Sequence, residues 1–318
     1  MMSDGVESIV LGADDDAPLR PDRRHFLGGL AALSASVLLG TSAPLAEARS
    51  GDSLQTLVLQ KLLELRRRGQ IGDSERYSWS VYDFTTKKTL VSINEDAQRQ
   101  AASMIKPFVA QAYFFQVKRS RGRVRYTSEV RRTMERMIGR SSNTATNTLM
   151  EMVSRNQNGR GPKDVEAVLK ANAPEIFRQT RIVETIPAGG KTYRNLASAA
   201  DYNRFLTALW NDRLPYSDEL RSLMALPKRD RIAVGVDSIP DSVRVYDKTG
   251  STARLCGDMG IVEAWGRNGR RYPYTFVGII ERPTSAKNYG TWITRRSNAI
   301  RAVSGVVYED MKRRYRLV

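Results

Sequence analysis

Downstream of residue 50, apolar residues first recur at roughly helical spacing, at Leu54, Leu57, Leu59, Leu62, Leu63 and Leu65. The basic run Arg66-Arg67-Arg68-Gly69 closes that helix. The stretch from Tyr77 to Phe84 then alternates like a strand, and a Thr85-Thr86-Lys87-Lys88 turn leads into Thr89-Leu90-Val91-Ser92-Ile93, which predicts a hairpin. Ser103 opens an apolar helix carried by Phe108, Val109, Ala112 and Phe115. From there to about Leu226 the pattern is mainly helical, with loops at 156–162 and 188–191. Strand character returns at 243–246, 260–265 and 274–280, the last two joined by a Gly266-Arg267-Asn268-Gly269 turn, and a final helix runs from about Ile293 to Arg314. The order predicts an α/β (α+β) chain. Its first and last parts form an antiparallel sheet flanked by terminal helices (49–102 and 241–318), with an all-α domain (103–240) inserted between them.

Residues 1–48 read differently. Arg23-Arg24-His25-Phe26-Leu27 precedes a short apolar stretch from Leu30 to Leu39, and Ala46-Glu47-Ala48 follows. A twin arginine, a modest apolar region and an A-x-A site are the marks of a twin-arginine (Tat) export signal, cleaved after Ala48, and they imply a periplasmic protein. The stretch is too short and too Gly-rich for stable membrane insertion. About 270 residues remain, enough for one large or two interlocked domains. The leader holds 3 of the 51 basic and 7 of the 34 acidic residues, which leaves 48 against 27, a net +21. That charge suits the anionic cell envelope, and an exported chain has no nucleic acid to meet.

The sole histidine, His25, lies in the leader, so the rest of the chain has none. Ser-His-Asp and Cys-His catalysis and histidine-ligated zinc are thereby excluded, and no metal or cofactor is expected. A serine hydrolase built this way must use lysine or a carboxylate as its base. Cys256 is the only cysteine, so no intramolecular disulfide forms; its place near a strand points to a small buried hydrophobe.

Three motifs then fall in order: Ser103-Met104-Ile105-Lys106, Ser141-Ser142-Asn143 and Lys248-Thr249-Gly250. Lys106 sits one helical turn after Ser103, which puts both side chains on one face. Burial beside other cations would lower its pKa and free a lone pair for proton abstraction. The S-x-x-K, S-x-N, K-T-G order resembles that of class A β-lactamases and related penicillin-binding proteins. The flanks Thr144-Ala145-Thr146-Asn147, Tyr246-Asp247 and Ser251, and Asp258 to Val262, extend the resemblance from about Tyr77 to the C-terminus, with Ser142 where Asp is usual. It implies a β-lactamase/transpeptidase-like fold with a five-stranded antiparallel sheet and an active site in the cleft between the two domains. It also implies roles: Ser103 as nucleophile, Lys106 as base, Ser141 as proton relay and Asn143 as the group that bonds the substrate's acyl amide. Lys248, Thr249 and Ser251 would hold the substrate carboxylate. The N–H groups of Ser103 and Ser251 would form the oxyanion hole, and Gly250 would keep the strand clear of a side chain facing the substrate. Arg254 is a further candidate for the carboxylate.

One departure stands out. Class A β-lactamases carry a loop Glu that activates the deacylating water. Here the loop is short, Glu184 and Glu175 are the only acids near it, and the string Gly189-Gly190-Lys191-Thr192-Tyr193-Arg194-Asn195 is similar to that of class A-like penicillin-binding proteins. The expected protein is a monomeric serine acyl hydrolase acting on D-Ala-D-Ala peptides of peptidoglycan, with slow β-lactam turnover. The alternatives are a true β-lactamase with Glu184 as its deacylation base, and a catalytically weak wall-binding or β-lactam-sensing protein.

Overall fold

The structure, a computed structural model, describes residues 53–187 and 190–318, so the leader and its expected signal lie outside the described residues. The first helix, α1 (Leu54–Arg67), is capped by Ser53, whose Oγ accepts the Thr56 N–H at 3.2 Å. Leu54, Val58, Leu62 and Leu65 form its buried stripe. The hairpin follows as β1 (Arg76–Asp83) and β2 (Lys88–Ile93), and a short strand β3 (Arg99–Gln100) comes after it. One 3₁₀ turn, Ala102–Ile105, then feeds α2 (Lys106–Arg119). Next come α3 (Ser128–Ile138), α4 (Asn143–Arg155), α5 (Pro162–Asn172), strand β4 (Leu196–Ala197), α6 (Ala199–Trp210) and α7 (Ser217–Met224). The chain closes with β5 (Arg244–Ser251), β6 (Leu255–Trp265), β7 (Arg271–Glu281) and α8 (Tyr289–Tyr315). Among the described residues no helix is long and apolar enough to cross a membrane.

The main sheet has five strands in the order β2-β1-β7-β6-β5, and the pairings along it are antiparallel. Side chains alternate between its faces, as the pleat requires. Tyr274, Phe276 and Ile280 of β7 join Trp79, Cys256 and Val262 in a core with α1 and α8. Val277 and Ile279, with Leu255, Met259 and Ile261, face the other way into the core built by the helices from α2 to α7. Strands covered on both faces read as near-continuous apolar runs, which is why β7 was legible. Cys256 is fully buried, as its position suggested.

Two elements differ from the expectation. β5 and β6 run to Ser251 and back from Leu255, past the 243–246 and 260–265 that the apolar pattern predicts, and only the family resemblance had put Lys248-Thr249-Gly250 and Asp258 on strands. Their inner ends, Lys248-Thr249-Gly250-Ser251 and Cys256-Gly257-Asp258, lack an apolar alternation and are held as strands by pairing with each other. The stretch 173–187, which lies in the part predicted to be mainly helical, is largely irregular. Pro174 stops α5, and the residue before it, Ala173, leaves the helical region with a φ of −152°.

Gly278 faces Trp79 across the β1–β7 pair, and a Cβ there would overlap the indole ring. Gly278→Ala is therefore expected to cost about 1–3 kcal/mol, read as a fall in the urea midpoint.

Candidate functional site

The site forms where the edge strand β5 meets the starts of α2 and α4. The segment before Ser103 is pinned first. β3 pairs with β4, and the Ala101 N–H donates to Asn195 O at 2.8 Å. The Gln100 N–H reaches Glu281 Oε1 at 3.1 Å, and Arg99 donates to Ser78 Oγ at 3.0 Å. The chain then turns through Ala102, which takes a left-handed φ of +44°, and presents Ser103 half-buried on the 3₁₀ turn. That turn docks directly on the sheet. A Cβ at Gly250 would stand 2.9 Å from Met104 Cγ and 3.2 Å from Ala102 Cβ, and one at Gly257 would stand 2.8 Å from Met104 Cε. Gly250 is thus required less to clear space for a substrate, as expected, than to admit the turn that carries Ser103.

Lys106 is fully buried at the first position of α2. Its Nζ donates to Ser141 O at 2.5 Å, to Ser141 Oγ at 3.1 Å and to Asn143 Oδ1 at 3.1 Å. Ser141 holds a left-handed φ of +55°, and Ser142 caps α4, its Oγ accepting the Ala145 N–H at 3.2 Å. The position that is usually Asp therefore serves here as a helix cap. The structure brings Ser141 and Asn143 to Lys106 as the motifs implied.

Lys248, also buried, donates to Thr249 O at 3.0 Å. Among the described residues neither Lys106 nor Lys248 has an ion-pair partner. Burial, then the charge of Lys248, lowers the Lys106 pKa to about 7. Burial lowers Lys248 to about 8, with Asp247 and Asp258 opposing and Lys228 and Arg231 adding to the shift. Asp247 is itself taken up by Lys228 at 3.0 Å, and burial together with Asp247 pushes the Asp258 carboxyl well above its usual range.

Sequence reasoning missed Arg231. Its guanidinium is buried under the end of β5, donating to Ser251 Oγ at 2.6 Å, Gly257 O at 2.7 Å, Ser297 Oγ at 2.8 Å and Gly250 O at 3.3 Å. No short motif marks it, because it comes from the irregular chain between α7 and β5. Arg254, the arginine singled out in its place, lies 4.7 Å over the Tyr193 ring and donates to Ser285 Oγ at 3.3 Å.

Among the described residues no hydrogen bond links Glu184 to Ser103, Lys106 or Ser141. Its Oε1 accepts from Thr192 Oγ1 at 2.7 Å and from the Tyr193 and Arg194 N–H groups at 2.8 Å. Asn195 closes the same neck, accepting the Val183 and Glu184 N–H groups and donating to Glu184 O. Two residues on, buried Ile186 is held against α4 by both ends of the Asn147 amide, at 2.7 and 2.8 Å.

The sequence from 122 to 309 matches the profile of the β-lactamase enzyme family. The chain belongs to that family. Its fold is the β-lactamase/transpeptidase-like one. It superposes on PBP-A with a TM-score of 0.62 at 20% identity, covering 82% of this chain and 96% of PBP-A. A β-lactamase from Streptosporangium roseum gives 0.60 at 19% identity over 81% and 98% of the two chains. One from Xanthomonas campestris pv. campestris gives 0.62 at 19% over 81% and 98%. A mutant of PBP-A is itself known as an acyl-enzyme complex with penicillin G. No curated protein sequence matches the chain. At these identities the solved structures speak for the fold alone, and it is the family match that makes the chain a member of a class A β-lactamase-like serine hydrolase family.

The Glu184 contacts give a test of its place. Burial alone would raise its pKa, but the bonds from Arg194, Thr192 and Tyr193 outweigh that and lower it. A depressed carboxylate stabilises the fold above its ordinary value of 4.5 and loses that contribution as pH falls through the folded value. Glu184→Gln is expected to cost about 1–3 kcal/mol at pH 7. Denaturant titrations of the two proteins should converge below pH 4.5.

Proposed function

We propose that the chain is a serine acyl hydrolase of the DD-peptidase type, exported by the twin-arginine route, that forms an acyl-enzyme at Ser103. The observation that carries this reading is the buried, carboxylate-free Lys106 in contact with Ser141 and Asn143. Near neutral pH a large share of Lys106 is unprotonated, and its lone pair takes the proton as Ser103 Oγ attacks the peptide or β-lactam carbonyl carbon. The N–H groups of Ser103 and Ser251 stabilise the oxyanion. The carbon–nitrogen bond then breaks, and Ser141, bonded to Lys106 Nζ, passes the proton to the leaving nitrogen. Lys248, Thr249 and Ser251 hold the substrate carboxylate, with Arg231 behind Ser251 adding positive charge to that end of the strand.

Slow turnover of β-lactams is supported by the loop. Glu184 turns Oε1 to the Thr192 hydroxyl and the Tyr193 and Arg194 N–H groups, and the residue that Asn147 holds beside the site is apolar Ile186. Neither supplies a base for the deacylating water, which favours the peptidase reading over the β-lactamase one.

A fluorescent penicillin should label the wild-type protein at Ser103 and leave Ser103→Ala unlabelled. The label should persist for many minutes in wild type and in Glu184→Gln alike, whereas Ile186→Glu should shorten its lifetime. Labelling of Ser103→Ala would remove the nucleophile from the account. A Glu184→Gln label that outlives the wild-type one would restore Glu184 as the base.

A further inference from the structure

No Asp or Glu stands between Asp96 and Glu129, and five of the seven cations in that stretch gather at one place. Lys118, Arg119, Arg121, Arg123 and Arg125 fall at the end of α2 and in the turn that leads to α3, and all five are exposed. Among the described residues none of the five has an ion-pair partner, whereas the next cation, Arg131, pairs with Glu135 and Glu219. The acids at the start of α7 and just before it are taken up as well. Glu219 accepts the Tyr126 hydroxyl at 2.6 Å, and Asp212 and Asp218 pair with Arg221. The turn itself is built rather than slack. Arg121 and Gly122 take left-handed φ of +51° and +90°, Ser120 Oγ accepts the Val124 N–H at 2.9 Å, and the Tyr113 hydroxyl donates to Arg125 O at 2.9 Å. Beside it an aromatic stack reaches the surface. Tyr216 lies flat on Phe114 with ring centres 4.7 Å apart, meets Tyr126 edge-on and stays 39% exposed.

We propose that the α2–α3 turn docks the protein on a bilayer of anionic phospholipid. Clustered cations are drawn to the negative surface of such a bilayer, each adding to the attraction. An exposed tyrosine ring, apolar in body and polar at its tip, suits the headgroup layer. Five exposed charges side by side, with no buried residue shared between them, match an extended sheet of phosphates rather than one small anion. The placement also suits the site. α2 carries Lys106 at its first position and Arg119 at its last, so about 20 Å of helix separates the base from the docking surface. The cleft at Ser103 therefore stays clear of the lipid when the turn is on it. Nothing in this docking depends on the acyl-enzyme reading, only on where Ser103 stands.

The described residues lie in one compact unit, Ala48–Val318, so the chain without its leader, 49–318, serves for the test. It is sedimented with vesicles of phosphatidylcholine alone or of equal parts phosphatidylcholine and phosphatidylglycerol. Binding is expected to the mixed vesicles and not to the neutral ones. Lys118→Gln with Arg119→Gln and Arg121→Gln removes three charges whose side chains make no hydrogen bond among the described residues, and should lower partitioning at least about tenfold. The same loss of charge at another exposed place, Arg267→Gln with Arg270→Gln and Lys312→Gln, should leave it within about twofold. If the first triple variant fails to fold, Arg123→Gln with Arg132→Gln takes its place. Equal binding to neutral vesicles, or equal losses from the two triple variants, overturns the proposal. So does capture by soluble polyphosphate without binding to vesicles, which would give the turn to a polyanion in solution. Penicillin labelling at Ser103 should proceed alike on free and vesicle-bound protein, and labelling blocked on the vesicles overturns the placement of the cleft. Vesicle binding without labelling of the free protein keeps the docking and removes the acyl-enzyme.

Discussion

Two buried lysines, neither with an ion-pair partner among the described residues, are the constraint on which the rest of this site depends. An uncompensated charge in the interior is costly, and a lysine relieves the cost by giving up its proton. Lys106 has three oxygen acceptors around it and Lys248 as a like-charged neighbour, so its neutral form is reached near neutral pH. In a chain whose described part holds no histidine, this supplies the base that the proposed reaction needs. The nearby carboxylates oppose it only in part: Asp247 is paired with Lys228, and burial with the Asp247 charge raises the Asp258 carboxyl well above its usual range.

The scaffold serves that burial. Two glycines on adjacent strands, Gly250 and Gly257, let Met104 seat against the sheet, which brings the Ser103 turn down onto β5. Left-handed backbone at Ala102 and Ser141 stores strain on either side of Lys106, and it persists because its surroundings are over-determined. On one side stand the β3–β4 pair and the Arg99–Glu281 contact, and on the other the Ser142 cap. The neck held by Glu184 and Asn195 does the same for the loop opposite α4, where Ile186 is bonded to Asn147.

Much of this was legible in the sequence, and the reason is local. Ser103 and Lys106 are one turn apart, Ser141 and Asn143 are two residues apart, and Lys248 to Ser251 are contiguous, so their chemistry is written in short strings. β1, β2, β7 and the terminal helices were legible because buried faces impose a period on apolar residues. What was hidden depends on contacts between distant segments. Arg231 acts from irregular chain and reaches Ser251 only through the fold. The inner ends of β5 and β6 are strands because they pair, not because of their side chains. Glu184 was one of two acids the sequence offered near the short loop, and only the return of residues 192–194 reveals what it binds. The break in helix after Asn172 was signalled by Pro174 alone.

The pH dependence of Ser103 acylation by penicillin G tests the central claim, that a buried, depressed Lys106 is the base. The rate should rise with pH through a limb near 7. Because the charge of Lys248 lowers the Lys106 pKa, Lys248→Met should move that limb to higher pH. A rate that stays flat from pH 5 to 9, or that climbs only toward the ordinary lysine value of 10.5, would contradict the account.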